Sequence, residues 1–276
     1  MTIVVLWYRE KLGELWCAAD TRISRGAATA TDSGPKILPV PVVCRKQIGE
    51  ENWMAFHHQS FGFAYAGSTL SAISTHALAT ACTQNLVATT GSEKPITLEA
   101  VANVFRSVGQ HYISDMSSRM GSAEKMQACF FEGMIFGFCF AAKKFKAYAI
   151  VPSLATGTFE MLIAELDTSQ NRFHPMGSGT QSFLQLNAEL AQSHPNPGVM
   201  TTMQEMLARE VTPDVGGHLQ IGVSTRTGFD VLPILNSGSG PGTRFVSFLG
   251  WDVTAAGMDG KLEGYRIGYR AFGNFG

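Results

Sequence analysis

Charge is scarce in this sequence. Only 16% of its 276 residues are Asp, Glu, Lys or Arg, and 21 Lys+Arg against 22 Asp+Glu leave a formal net charge of −1. The missing basic excess argues against a nucleic-acid binder, which carries a basic face that survives in the total. The scarcity of charge beside 45% apolar residues argues equally against disorder. Long apolar runs are missing too: the longest, Met134 to Ala142, is far short of the roughly 20 residues that a membrane helix needs. No basic-then-apolar leader precedes the strand-like Met1-Thr2-Ile3-Val4-Val5, so neither a membrane nor an exported setting is expected, and the chain reads as cytoplasmic. Paired cysteines are absent. Cys17, Cys44, Cys82, Cys129 and Cys139 are odd in number, have no C-x-x-C spacing and sit among apolar or small residues, so they read as reduced core positions. A compact monomer and a subunit covered by copies of itself both fit this composition.

What is present divides into blocks. Thr2 to Tyr8 and Glu14 to Ala19 read as a hairpin about the turn Arg9 to Gly13, and Trp53 to His58 and Phe61 to Ala66 as a second about Gln59 and Ser60. Two helices are expected over Ser68 to Leu86 and Thr97 to Arg119. In the latter Leu98, Val101, Ala102, Phe105, Val108, Tyr112 and Met116 recur at helical spacing, with Thr97 as N-cap. Strands follow over Cys129 to Ala141, Phe145 to Val151 and Phe159 to Glu165. Helices over Thr180 to Gln192 and Val199 to Arg209 are split by His194-Pro195-Asn196-Pro197-Gly198. The chain closes with strands over Leu219 to Ser224, Phe229 to Leu235, Phe245 to Asp252 and Leu262 to Phe272. Strands and helices in separate blocks predict an α+β fold, two stacked antiparallel sheets between helix pairs in a four-layer αββα sandwich. Residues 1–235 form its domain, and residues 236–276, entered through the linker-like Asn236 to Thr243, add strands packed on the same domain.

Several motifs lead nowhere. His57 and His58 are adjacent on a strand and point to opposite faces, and the other histidines have no carboxylate at ligand spacing, so no metal is expected. Gly177-Ser178-Gly179 is not a G-x-S-x-G elbow, and Gly238 to Gly242 lacks the Lys-Ser/Thr of a phosphate loop. The start of the chain is different. Removal of Met1 before a small residue leaves Thr2 with a free α-amine beside its own hydroxyl, and an α-amine titrating at about 7.7–8.0 can act as general base for that hydroxyl. The strand Leu15 to Ala19 ends in Asp20, whose carboxylate needs a cation. Lys36 stands at the start of the next apolar run, and Phe63 to Ser68 passes through Gly67 into a helix, the geometry of an oxyanion site.

Thr2-Ile3-Val4, Ala18-Ala19-Asp20-Thr21-Arg22, Gly34-Pro35-Lys36 and Ala66-Gly67-Ser68 together resemble the proteasome-type β subunits of the N-terminal-nucleophile hydrolases. Within them the chain is most similar to the bacterial forms: the peptidase of the two-component protease, Anbu, and the betaproteobacterial proteasome homologue. The resemblance implies a threonine peptidase or amide hydrolase that works through a Thr2 acyl-enzyme and needs no cofactor. In it Lys36 eases deprotonation of the Thr2 hydroxyl, Asp20 holds Lys36, the Gly67 N–H stabilises the oxyanion, and Ser178 bonds near the Thr2 amine. Asp214 is implied as an amine-orienting acid, but Thr212-Pro213-Asp214-Val215-Gly216-Gly217 departs from the family pattern, with the acid shifted and Val where Ser is expected. A substrate pocket is implied at Ile23, Gly34, Leu38, Tyr65 and Thr69, modest and apolar. The partners implied are peptide or unfolded polypeptide and further copies of the chain in a homo-oligomeric, self-compartmentalising ring, with an ATPase partner left open. The alternative is a ring-forming scaffold that keeps the fold without turnover.

Overall fold

The computed structural model describes residues 2–25, 28–89, 93–120, 126–155, 157–169, 172–193, 197–237, 244–258, 261–267 and 270–274. Its first hairpin pairs β1 (Val4–Arg9) with β2 (Glu14–Asp20), and Gly13 closes the turn at φ +63. They form the middle of a five-stranded antiparallel sheet with β11 (Phe173–Met176), β12 (Leu219–Thr225) and β13 (Gly228–Leu232), in the order β11-β1-β2-β12-β13. The second sheet, β10-β9-β8-β6-β5-β7, contains β5 (Ile37–Gln47), β6 (Trp53–Gly67), β7 (Leu86–Val87), β8 (Phe131–Cys139), β9 (Lys144–Ser153) and β10 (Glu160–Leu166). A short hairpin joins β3 (Ile23–Arg25) to β4 (Ala28–Thr31).

Strands such as β2 and β8 are buried along almost their whole length because both faces of each main sheet are covered there. On the first sheet, Ile3, Val5, Trp7, Trp16 and Ala18 pack against α3 (Thr180–Ser193) and α4 (Val199–Ala208) through Phe183, Leu186, Met203 and Met206. On the second, Phe61, Phe63, Tyr65, Phe131 and Ile135 pack against α1 (Thr69–Thr83) and α2 (Leu98–Met120). The intervening side chains, Val4, Leu6, Cys17 and Ala19 from one sheet and Ala64, Ala66, Met134 and Phe136 from the other, meet in a third core between the sheets. The class is therefore α+β.

The last strands, β14 (Ile234–Ser237), β15 (Arg244–Phe248), β16 (Trp251–Asp252) and β17 (Phe272–Asn274), form a separate four-stranded sheet. Its inner edge reaches the body: Ile234 and Phe272 join the α3–α4 core, and the Ser33 hydroxyl donates to the Gly250 carbonyl at 3.1 Å.

The expected elements and core positions need five corrections. The expected strand Phe245 to Asp252 turns at Leu249 and Gly250, so that β15 and β16 pair antiparallel. Gln59 and Ser60 make no turn; β6 runs through them as one 15-residue strand, and Gly62 serves close packing, since a Cβ there would stand 2.5 Å from the Phe136 ring. Pro233, which has no N–H for a ladder, divides the expected strand Phe229 to Leu235 into β13 and β14. Of the expected strand Leu262 to Phe272, residues 262–267 and 270–271 are not strand, Phe272 opens β17, and residues 268–269 lie outside the described residues. Cys82 is exposed, whereas Cys17, Cys44, Cys129 and Cys139 are buried. The linker residues 238–243 and the breaker residues 194–196 lie outside the described residues. No helix among the described residues is long and apolar enough to cross a membrane.

Candidate active site

Antiparallel pairing gathers the site. The start of β1, the end of β2, the start of β12 and the end of β11 all fall at one edge of the first sheet. On the second sheet the same logic gathers the start of β5, the end of β6 and the start of β8. Thr2 precedes Val4 by two residues and so continues its row toward the space between the sheets.

The best-anchored group is Asp20, fully buried at the end of β2. Its Oδ1 accepts from Lys36 Nζ at 2.7 Å and from the Ile3 N–H at 3.0 Å, and its Oδ2 from the N–H groups of Arg22 and Gly216, each at 3.2 Å. Lys36 is only 1% exposed. Such a pair survives burial because every carboxylate lone-pair direction is used. Burial pulls the Lys36 pKa below the ordinary lysine range, and the attraction of Asp20 opposes it. Gln220 locks the surroundings: its Oε1 accepts from the Lys36 N–H at 3.0 Å, and its Nε2 donates to the carbonyls of Asp20 and Gly34 at 3.2 and 2.7 Å.

A second ion pair braces the loop before Lys36. Arg22 Nε and Nη2 meet the Asp32 carboxylate at 2.6 and 3.2 Å, and Nη1 donates to the Pro213 carbonyl at 2.9 Å. The Arg22 guanidinium holds the Asp32 carboxyl below the usual carboxylate range. Gly217, at φ +75, lies so close to Thr21 and Asp32 that a Cβ would stand 2.4 Å from the Thr21 hydroxyl.

Around Thr2, 6% exposed, its N–H donates to the Ser178 hydroxyl at 3.3 Å, and its carbonyl accepts from the Gly179 N–H at 3.1 Å. A cleft of about 580 Å³ opens here, lined by Thr2, Gly67, Ser178, Ile23 and Thr69 among others. Gly67 has φ +100, and a Cβ on it would be 2.7 Å from the Phe130 carbonyl, so only glycine fits between Ala66 and the N-cap Ser68 of α1. The Thr2 residue and the glycine before a helix N-terminus thus share one opening, and the buried Asp20–Lys36 pair lies behind it, bonded to the Ile3 N–H.

Other expected pocket residues lie apart from the lining. Tyr65 is 1% exposed in the α1–α2 core, its hydroxyl donating to the Pro35 carbonyl at 2.9 Å, and burial pushes its pKa up to about 12. Leu38 packs on the same core, and Gly34 lies behind Ile23, whose Cδ1 a Cβ would meet at 2.2 Å. Asp214 makes no hydrogen bond or ion pair among the described residues, and Asp20, not Asp214, takes the Gly216 N–H.

Sequence reasoning missed Glu132 and Gln220. Glu132 lines the cleft, and its Oε2 accepts from the Gly177 N–H at 3.2 Å. Glu132 is the lone polar residue of β8 and Gln220 interrupts the buried run Leu219 to Val223, and that interruption was the available signal.

No protein-family model matches the sequence, and no curated protein matches it. Among solved structures the chain is similar to an Anbu (Gly-1) mutant from Hyphomicrobium sp. strain MC1, with TM-score 0.50 and 14% identity over 84% of each chain. It is also similar to Anbu (ancestral beta-subunit) from Yersinia bercovieri, with TM-score 0.49 and 12% identity over 84% of this chain and 86% of that one. At such identity the first likeness is one of fold alone.

Proposed function

We propose that the chain is an N-terminal threonine peptidase or amide hydrolase of the proteasome type, with Thr2 exposed as first residue by loss of Met1. The observation that carries the reading is the buried Asp20–Lys36 pair, in which Asp20 accepts from the N–H of Ile3, the residue next to the Thr2 that lines the cleft. The free Thr2 amine takes the hydroxyl proton as Oγ1 attacks the substrate carbonyl. The Lys36 charge favours the alkoxide, and the Gly67 N–H meets the oxygen that becomes negative. Collapse breaks the C–N bond, the leaving amine takes the proton held by the Thr2 ammonium, and water then releases the acyl group as carboxylate. Ser178 orients the Thr2 nitrogen. Asp214 has no part in this scheme.

The three cores, stacked as helices, sheet, sheet and helices, support reading residues 1–235 as a four-layer αββα domain, with residues 236–276 as an extension docked on it. The scarce charge supports a homo-oligomeric ring, and the cleft fits a peptide in a cytoplasmic compartment. One observation favours the alternative of a ring-forming scaffold: Val215, at the position where the resembled family carries Ser, is only 1% exposed and belongs to the α3–α4 core.

Substituting Thr2 by Ala decides between them. Hydrolysis of short peptide amides is expected to vanish in that variant, and mass analysis of the parent is expected to show Thr2 first and covalent labelling there by a threonine-directed electrophile. Unchanged hydrolysis in the variant, or a parent that neither hydrolyses nor labels, sinks the peptidase.

A further inference from the structure

On β8, side chains alternate between two cores: Phe131 and Ile135 enter the α1–α2 core, and Met134 and Phe136 the core between the sheets. Glu132 belongs to the second row, opposite Ala66 on β6, and ends that row at the mouth. Thr2 ends the Val4 row of the facing sheet. Nucleophile and carboxylate therefore stand across one opening, bridged by Gly177, whose N–H donates to Glu132 Oε2 and whose Cβ, if it had one, would be 2.4 Å from the Thr2 carbonyl oxygen.

Glu132 is the one charged side chain among the described residues lining the cleft. Its Oε1 has no partner among the described residues, in contrast to Asp20, whose two oxygens take four donors. A half-buried carboxylate with one oxygen unmatched, beside the apolar walls of Ile23, Phe130 and Pro152, is complementary to an alkyl stem that ends in a cation.

The geometry points to a cleft that selects acyl groups carrying a cationic side chain, with the ammonium or guanidinium seated on Glu132 Oε1 and the stem along the apolar wall. Glu132 is then a specificity residue, and this assignment rests on the reading of the cleft as the acyl-substrate site.

Binding to the Thr2→Ala chain, read by calorimetry, separates recognition from turnover. The probes are acetyl-Ala-Ala-X-amides with X lysine, norleucine or glutamate. The lysyl peptide is expected to bind about tenfold or more tighter than the norleucyl one, the scale of one charge-assisted hydrogen bond, and the glutamyl peptide most weakly. Adding Glu132→Gln, which keeps an acceptor for the Gly177 N–H, is expected to bring the lysyl-to-norleucyl ratio close to one. Equal binding of the lysyl and norleucyl peptides to Thr2→Ala overturns the assignment without any second variant, and so does a ratio that survives Glu132→Gln. Selective binding beside a parent that never hydrolyses removes the peptidase and keeps Glu132. Hydrolysis by the parent at equal rates for the lysyl and norleucyl substrates keeps the peptidase and removes Glu132.

Discussion

The two ends of the layer between the sheets are built on opposite terms. At one end lie Asp20, Lys36, Thr21 and Gln220, all buried, with Asp20 and Gln220 bonded through every polar side-chain atom. At the other, rings fill space: Tyr8 against Phe145 at 5.6 Å, Phe138 against Phe145 at 5.3 Å and Phe136 against Phe229 at 5.4 Å. Gly62 and Gly222 make room for those rings, since a Cβ on either would stand within 2.6 Å of a phenyl carbon. The aromatic end is held by volume, and neighbours can adjust to a lost atom. The charged end is held by paired donors and acceptors, and one missing partner leaves another buried and unmatched.

That contrast predicts different outcomes for single substitutions. The largest effect is expected for Asp20→Asn, which strands the Lys36 ammonium: about 3–5 kcal/mol of stability is lost in urea unfolding, together with peptide hydrolysis. A variant as stable as the parent breaks the contrast. Phe136→Ala, at the far end, is expected to cost a similar 3–5 kcal/mol or so by cavity formation, yet to keep the specific activity of the folded fraction. Activity lost beyond the unfolded fraction would show that the ends are coupled. Gln220→Leu, which leaves the Lys36 N–H and two carbonyls unmatched, is expected to cost about 1–3 kcal/mol and to lower kcat more than it raises KM.

The smallest effect is expected in acid. The folded Asp32 pKa lies below its unfolded value, so the Arg22–Asp32 contribution is complete above the unfolded carboxylate pKa of about 3.9 and fades as pH falls through the lower folded value. With Asp32 43% exposed, that contribution is slight. Melting temperatures followed from pH 6 to 2 are expected to decline less steeply in Asp32→Asn than in the parent.

The helices were legible because their signals are local: Thr97 accepts from the Ala100 N–H as an N-cap should, and Leu98, Val101, Ala102, Phe105, Val108 and Met116 share one face, joined by Ile113 where Tyr112 was expected. The partners of each strand were not. Nothing in Phe173 to Met176 announces a neighbour at Val4 to Trp7, and β6 pairs with β5 and β8, not with itself. Thr2, Asp20, Lys36 and Gly67 stood out as chemistry at strand ends. Glu132 did not, because its neighbour across the cleft is set by sheet packing, which a single sequence does not display. Tyr65 was expected at the pocket but sits on the helix-facing row with Phe63 and Phe61, a matter of strand parity.

The separations within the charged cluster bear on how the molecule comes into being. Thr2 and Ser178 are 176 positions apart, Asp20 and Gly216 are 196 apart, and Asp20 and Gln220 are 200 apart. Contacts of such high order close late, after the local hairpins and helices have formed. A chain emerging from the ribosome therefore carries Thr2, Asp20 and Lys36 long before Ser178, Gly216 and Gln220, the partners that fix them in place. The buried charged cluster is therefore complete only when strand β12 has been made and inserted beside β2.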